Sequence, residues 1–229
     1  MSKKKLTLFD LDHTLLPIDS DYSWGQFTCE IGWTDAEHFA RRNAEFYEHY
    51  QAGTLDIHDY VRFATDAIRR RGATESISAR AAFMRSVVLP NVKRPARALL
   101  NAHRDAGDLI AIVTATNEFV TRPIAEAFGV EELIAVELEK DAAGWLTGEI
   151  AGIPSMREGK VLRVEQWMAA RGLDWLDVES TFYSDSTNDL PLLEKVDHPV
   201  ATNPGPALRE IAISRGWRIL NLFEEEERK

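Results

Sequence analysis

Leu6-Thr7-Leu8-Phe9-Asp10-Leu11-Asp12-His13-Thr14 decides the fold. A short apolar run stops abruptly in two acids, which is how a buried parallel strand reads when its carboxyl end opens into a site. Two further segments end the same way: Leu109-Ile110-Ala111-Ile112-Val113 runs into Thr114-Ala115-Thr116-Asn117, and Thr181-Phe182-Tyr183 runs into Ser184-Asp185. Between them lie helical stretches, Phe119 to Phe128 closed by Gly129 and Lys160 to Ala170 closed by Gly172, the punctuation of strand-helix alternation. Pro199-Val200-Ala201 and Trp217-Arg218-Ile219-Leu220 flank another helix-like stretch, Pro206 to Ser214. The pattern predicts an α/β fold, a Rossmann-like doubly wound parallel sheet with its ligand site at the carboxyl ends of the strands.

Residues from about Ile18 to about Leu89 break the alternation. Thr34-Asp35-Ala36-Glu37 has the form of a capping box, and Phe39, Phe46, Tyr47 and Tyr50 follow on one helical face. Ile57, Tyr60, Val61, Ala64 and Ile68 repeat at helical spacing until Gly72, and Ser76 to Val88 reads as another helix. This stretch is expected to be an all-helical cap domain inserted after the first strand, over residues 18–89, with the core at 1–17 and 90–229. Trp145-Leu146-Thr147-Gly148-Glu149-Ile150, after the Ala143-Gly144 turn, reads as one arm of a small hairpin. The terminal Glu224-Glu225-Glu226-Glu227-Arg228-Lys229 reads as a solvated tail.

Composition narrows the function. The 229 residues are 45% hydrophobic and 28% charged, with no apolar run near the roughly 18 residues of a membrane span. Lys plus Arg at 27 against Asp plus Glu at 37 gives a net charge of −10, which disfavours nucleic-acid backbones and anionic membranes. A small anionic substrate remains compatible where a metal or local cations neutralise it. The single cysteine, Cys29, cannot form an internal disulfide and reads as a small buried apolar residue; Met1-Ser2-Lys3-Lys4-Lys5 leads into alternation rather than a signal-peptide core. The expected location is the cytoplasm.

Asp10 and Asp12 converge on one pocket if the backbone turns after the strand, and proximity then raises one pKa unless a cation intervenes. Thr114 adds a hydroxyl, Lys160 a cation at a helix start, and Asp185 and Asp189 two more acids. Hard oxygen ligands without His or Cys spacing suit Mg²⁺. Asp19 and Asp21 read as turn caps after Pro17. Trp24, Phe27, Phe39 and Phe46 read mainly as packing, and Arg69-Arg70-Arg71 as a solvated helix end.

Taken in order, Asp10-Leu11-Asp12-His13-Thr14, Thr114, Lys160 and Asp185-Ser186-Thr187-Asn188-Asp189 resemble the four motifs of the haloacid dehalogenase superfamily. The helical insertion stands where that superfamily's first (C1) type of cap belongs. The Asn188-Asp189 ending makes the chain look closest to the phosphoserine phosphatase-like branch (subfamily IB), which also contains some histidinol-phosphate phosphatases. Thr114-Ala115-Thr116 stands in place of that branch's Ser-Gly-Gly pattern.

The resemblance implies a Mg²⁺-dependent phosphatase of a small phosphorylated metabolite. Asp10 would attack phosphorus and become an aspartyl phosphate, and Asp12 would protonate the leaving alkoxide and then activate water. The carboxylates of Asp10 and Asp185 and the carbonyl of Asp12 would hold Mg²⁺. Thr114 and Lys160, with backbone N–H groups around Leu11 and Asp12, would bind phosphoryl oxygens. Asn188 would add a polar contact, and Asp189 would orient metal-bound water or Lys160. Asp19 or Asp21 would receive a substrate amino group, as an acid in that region does in relatives, a role that turn capping rivals. A phosphotransferase or mutase using the same intermediate, or a noncatalytic phosphate- or metal-binding regulator, are the alternatives. Substrate identity and oligomeric state are left open.

Overall fold

The computed structural model describes residues 3–223, so the acidic C-terminal run lies outside the described residues. Six strands form one parallel sheet: β1 (Lys4–Phe9), β2 (Leu109–Asn117), β3 (Glu132–Val136), β6 (Val178–Ser184), β7 (His198–Thr202) and β8 (Arg218–Leu220), in the order β3-β2-β1-β6-β7-β8. Chain order reverses at β1, which lies between β2 and β6, so a crevice opens beyond the carboxyl end of β1. The Rossmann-like core is therefore as expected. β3 had no counterpart in the strand reading: Glu132-Leu133-Ile134-Ala135-Val136 is an edge strand with one partner. The hairpin arm is β5 (Leu146–Ile150), and its antiparallel partner is β4 (Leu138–Lys140).

Side-chain alternation sends the two faces of the sheet into separate apolar layers. Leu6 and Leu8 of β1, with Ala111, Val113, Phe182 and Ala201, pack under α7 (Glu158–Ala169), α8 (Leu190–Leu193) and α9 (Pro206–Arg215). Phe9, Ile112, Tyr183 and Val200 face the other way, toward α5 (Arg94–Asp105) and α6 (Glu118–Ala127). From Leu6 to Phe9 both faces of β1 are thus buried, which explains why that stretch is apolar apart from Thr7 until Asp10, while Lys4 and Lys5 at its start are exposed.

Helices fill the stretch between β1 and β2: α1 (Ser20–Glu30), α2 (Ala36–Ala52) and α3 (Ile57–Phe83), then a π-helical turn over Met84–Val88 and a short α4 (Leu89–Asn91). Gly72 interrupts α3 with φ 75° and ψ 177°, the break its glycine suggests, and the helical run continues past Leu89 to Asn91. The capping box is displaced by one residue. Asp35, not Thr34, caps α2 by accepting from the His38 N–H, while the Thr34 hydroxyl pairs with that of Thr28. Tyr47 departs from the apolar face and is exposed, and Cys29 is only half-buried. Trp24 stacks on Phe27 and meets Phe83 and Phe119 edge-on at 5.3 and 5.9 Å, so one apolar layer continues from the sheet into the inserted helices. No helix among the described residues is long and apolar enough to cross a membrane.

Candidate active site

The strand register assembles the acids. Phe9 pairs with Tyr183, and the Asp10 N–H donates to the Tyr183 carbonyl, so Asp10 and Asp185 leave adjacent parallel strands side by side. Thr14 closes the turn after β1. Its hydroxyl faces Asp10 Oδ2 at 3.3 Å and Asp185 Oδ1 at 3.1 Å, and His13 beside it has φ 55°, the left-handed geometry that folds the chain back. Asn203, also left-handed at φ 48°, pins this turn from the end of β7 by donating to the His13 carbonyl at 2.8 Å.

Lys160 reaches in from the first turn of α7. Its Nζ donates to Asp10 Oδ1 and Asp189 Oδ2, both at 2.7 Å, and only 2% of the residue is exposed. Burial alone would lower the ammonium pKa, but the two carboxylates outweigh it and hold Lys160 charged. Asp189 also accepts from the Ser184 hydroxyl at 2.7 Å. The helix start carrying Lys160 depends on Gly159, where a Cβ would lie 2.0 Å from the Pro154 carbonyl oxygen.

Asp12 is held from a different side. Its Oδ1 accepts from the Ser20 N–H at 2.8 Å and its Oδ2 from the Thr116 hydroxyl at 2.9 Å. Desolvation, with Asp19 and Asp10 nearby, pushes its carboxyl up to about 8 against the pull of the Ser20 hydrogen bond. Thr114 lies buried within β2, which continues to Asn117 rather than ending there, and its hydroxyl accepts from the Thr116 N–H at 3.1 Å. Asn188 turns its Oδ1 toward Arg157.

Asp10, Asp185, Asp189 and Lys160 therefore form one hydrogen-bonded cluster with Thr14 and Ser184, and Asp12 adjoins it. Thr14, Thr116, Ser184, Arg157 and Asn203 carry contacts to which the sequence reading gave no role. Asp19 and Asp21 part company. Asp19 caps α1, accepting from the Asp21 and Tyr22 N–H groups. Asp21 is 7% exposed and accepts from the Tyr60 hydroxyl at 2.7 Å and Asn117 Nδ2 at 3.3 Å. Burial and Asp19 push the Asp21 carboxyl up to about 7, with Tyr60 pulling down.

The donor set fits a hard divalent cation. The single Thr14 hydroxyl proton cannot serve Asp10 and Asp185 at once. Burial, then Asp10 and Asp189, hold the Asp185 carboxyl well above the usual range, the signature of negative charge short of a counterion. Among the described residues no three His, Cys, Asp or Glu side chains are grouped to hold a metal. Two carboxylates completed by a backbone carbonyl and water is a set Mg²⁺ accepts.

Residues 7–194 match the family model described as haloacid dehalogenase-like hydrolase. The chain is 39% identical over 219 residues to a Neisseria meningitidis protein named histidinol-phosphatase, covering 95% of this chain and 99% of that one. It is 28% identical over 214 residues to a Mycobacterium tuberculosis protein named phosphoserine phosphatase, covering 92% and 68%. A solved Bordetella pertussis protein of unknown function superposes with a TM-score of 0.91 at 48% identity, covering 97% of this chain and 100% of that one. A substrate-bound phosphoserine phosphatase superposes at 0.66 with 19% identity, covering 96% and 94%, a likeness of fold.

Proposed function

The chain belongs to the haloacid dehalogenase-like hydrolase family and is a phosphoric monoester hydrolase; from that premise we propose that it is a Mg²⁺-dependent phosphatase of a small, amine-bearing phosphorylated metabolite, working through an aspartyl phosphate in the cytoplasm. The observation that carries this reading is the division of labour between two neighbouring carboxyls. Asp10 is ion-paired to Lys160 at 2.7 Å, whereas Asp12 has its pKa raised to about 8 and holds a proton at neutral pH. Environments that push paired acids apart assign nucleophile and general acid.

In the first half-reaction the Asp10 carboxylate attacks phosphorus, the ester P–O bond breaks, and Asp12 gives its proton to the departing alkoxide. In the second, Asp12 as carboxylate takes a proton from water, whose oxygen attacks phosphorus. The Asp10–phosphorus bond breaks, and inorganic phosphate leaves with both acids restored. Lys160, Thr114 and the N–H groups of Leu11 and Asp12 receive phosphoryl oxygens, fixed donors where charge develops. Asn188 adds a polar contact, and Asp189 holds Lys160 in place. Mg²⁺, held by Asp10, Asp185 and the Asp12 carbonyl, supplies neutralising charge when bound. Residues 18–89 are read as the cap that selects the leaving group, over a core of 1–17 and 90–229.

Asp21 is the residue of that cap suited to an ammonium or imidazolium, being a buried carboxyl with no cation partner among its hydrogen bonds. Together with the name of the Neisseria relative, it puts histidinol phosphate first among substrates. The test is phosphate release from histidinol phosphate, phosphoserine, sugar phosphates and nucleotides, with Mg²⁺ and with chelator, beside Asp10→Asn. The expected result is metal-dependent turnover, highest on an amine-bearing ester and absent in Asp10→Asn. Turnover by Asp10→Asn near the wild-type rate would remove the nucleophile.

A further inference from the structure

Arg157 occupies a backbone conformation that glycine adopts freely and arginine does not, φ 52° and ψ −123°. Two residues later the first turn of α7 uses glycine, Gly159, where contact with Pro154 leaves no room for a Cβ. Arginine at 157 therefore brings a side chain to a position whose backbone would be relieved by losing it. That side chain does not cap α7, which begins without a side-chain cap. It reaches instead across to the inserted helices.

The guanidinium spans two elements. Nε and Nη2 donate to Asn188 Oδ1 at 3.2 and 3.0 Å, and Nη1 donates to the Gly53 carbonyl at 2.7 Å. Gly53 ends α2 at φ 77°, and a Cβ there would come within 2.9 Å of Nη2, so the bare backbone lets the guanidinium approach. A cation at this helix terminus also meets the negative end of the α2 dipole. On the previous turn of α2, Tyr50 lies against Ser186 and Asn188, and burial, then Asp189, push its hydroxyl up to about 12. In the first turn of α7, Lys160 holds Asp189. Two residues at the start of α7 thus grip two consecutive residues of the Thr187–Asp189 turn: Lys160 grips Asp189 for the phosphoryl site, and Arg157 grips Asn188 for the face toward α2.

Resting on the phosphatase reading above, we propose that Arg157 is a positioning residue that seats the end of α2 on the Asn188 turn and so shapes the leaving-group side of the pocket. With Asn188 Oδ1 engaged by the guanidinium, the amide N–H₂ is directed away from Arg157, toward the Tyr50 side. Substrates that touch the inserted helices depend on this arrangement. Substrates with little beyond the phosphoryl group do not.

The test compares wild type, Arg157→Gly and Arg157→Lys on two substrates, the amine-bearing phosphomonoester that wild type turns over best and acetyl phosphate, with Tm measured alongside. For Arg157→Gly the expected result is a tenfold or larger fall in kcat/KM on the former, carried mainly by KM. On acetyl phosphate the fall is under twofold, and Tm is equal to or above that of wild type because the backbone is relieved. Arg157→Lys keeps the charge without the fork and falls between. Wild-type kcat/KM for both variants on both substrates overturns the inference, as does an equal loss on both substrates with a lowered Tm. Wild type inactive on every phosphomonoester would instead overturn the phosphatase reading.

Discussion

The Thr116 hydroxyl donates to the Asp12 carboxylate across 2.9 Å, joining the end of the second strand to the acid that follows the first. Thr116 belongs to the Thr114-Ala115-Thr116 segment where the phosphoserine phosphatase pattern has small residues. On the proposed mechanism its side chain orients the general acid and base that serves both half-reactions. Thr116→Val removes the donor at nearly constant volume, and kcat should fall about tenfold, about 1.4 kcal/mol of barrier. Thr116→Ser should retain most activity. Steady-state rates on the best substrate check this, and an unaltered kcat in Thr116→Val would leave Asp12 held by the Ser20 N–H alone.

Lys160 is the cation that two buried carboxylates share. Lys160→Met leaves Asp10 and Asp189 unpaired, and breaking a buried pair from one side costs about 3–5 kcal/mol. Urea unfolding should show that loss, with phosphatase activity almost gone. Adding Asp189→Asn should restore part of the stability without restoring activity. If the double variant is no more stable than the single one, the unpaired charge is not what destabilises it.

Most of this core was legible because each site strand carries an apolar run that gives way to polar site residues: Phe9 before Asp10 at the end of β1, Val113 before Thr114 within β2, which continues to Asn117, and Tyr183 before Ser184 at the last residue of β6. β3 escaped because it begins with Glu132 close behind Gly129, has only four apolar residues, and is followed by a single acid, Glu137, before the chain turns apolar again at Leu138. The site shows the same division. Asp10, Asp12, Lys160, Asp185 and Asp189 sit in local patterns of strand end or helix start. Thr116, Tyr60 and Arg157 act through contacts with Asp12, Asp21 and Gly53, at separations of 104, 39 and 104 residues. No periodicity records such pairings; they exist only once the strands are ordered and α2 and α3 are packed.

Asp10 and Asp185 share one Thr14 hydroxyl, so a cation between them should stabilise the fold. Mg²⁺ at a hundred times its Kd adds about 2.7 kcal/mol by mass action. Thermal melts should therefore rise with Mg²⁺ and return with chelator. In Asp185→Asn the metal-free Tm should increase, because an uncompensated buried charge is gone, while the Mg²⁺-dependent rise disappears. A wild-type Tm indifferent to Mg²⁺ would remove the cation from this pair.

Asp21 separates a stability effect from a binding effect. Its carboxyl stands at about 7 in the fold, raised by burial and Asp19 and opposed by Tyr60, against about 3.9 in an unfolded chain. Between these values the unfolded chain has released a proton that the folded chain still holds. Folding stability therefore falls as pH rises from about 4 to about 7, and the cost, on the order of 4 kcal/mol, is complete above that. Asp21→Asn keeps an acceptor for the Tyr60 hydroxyl and cannot ionise. The variant should be more stable than wild type at pH 8, with the advantage shrinking toward pH 4. Its KM for an amine-bearing phosphomonoester should nevertheless rise about tenfold, because a substrate cation is what would offset the buried carboxylate. Denaturant unfolding across that pH range, paired with kinetics at pH 8, checks both halves. A stability difference constant with pH would mean Asp21 ionises normally in the fold, and an unchanged KM would place the substrate amine elsewhere in the pocket.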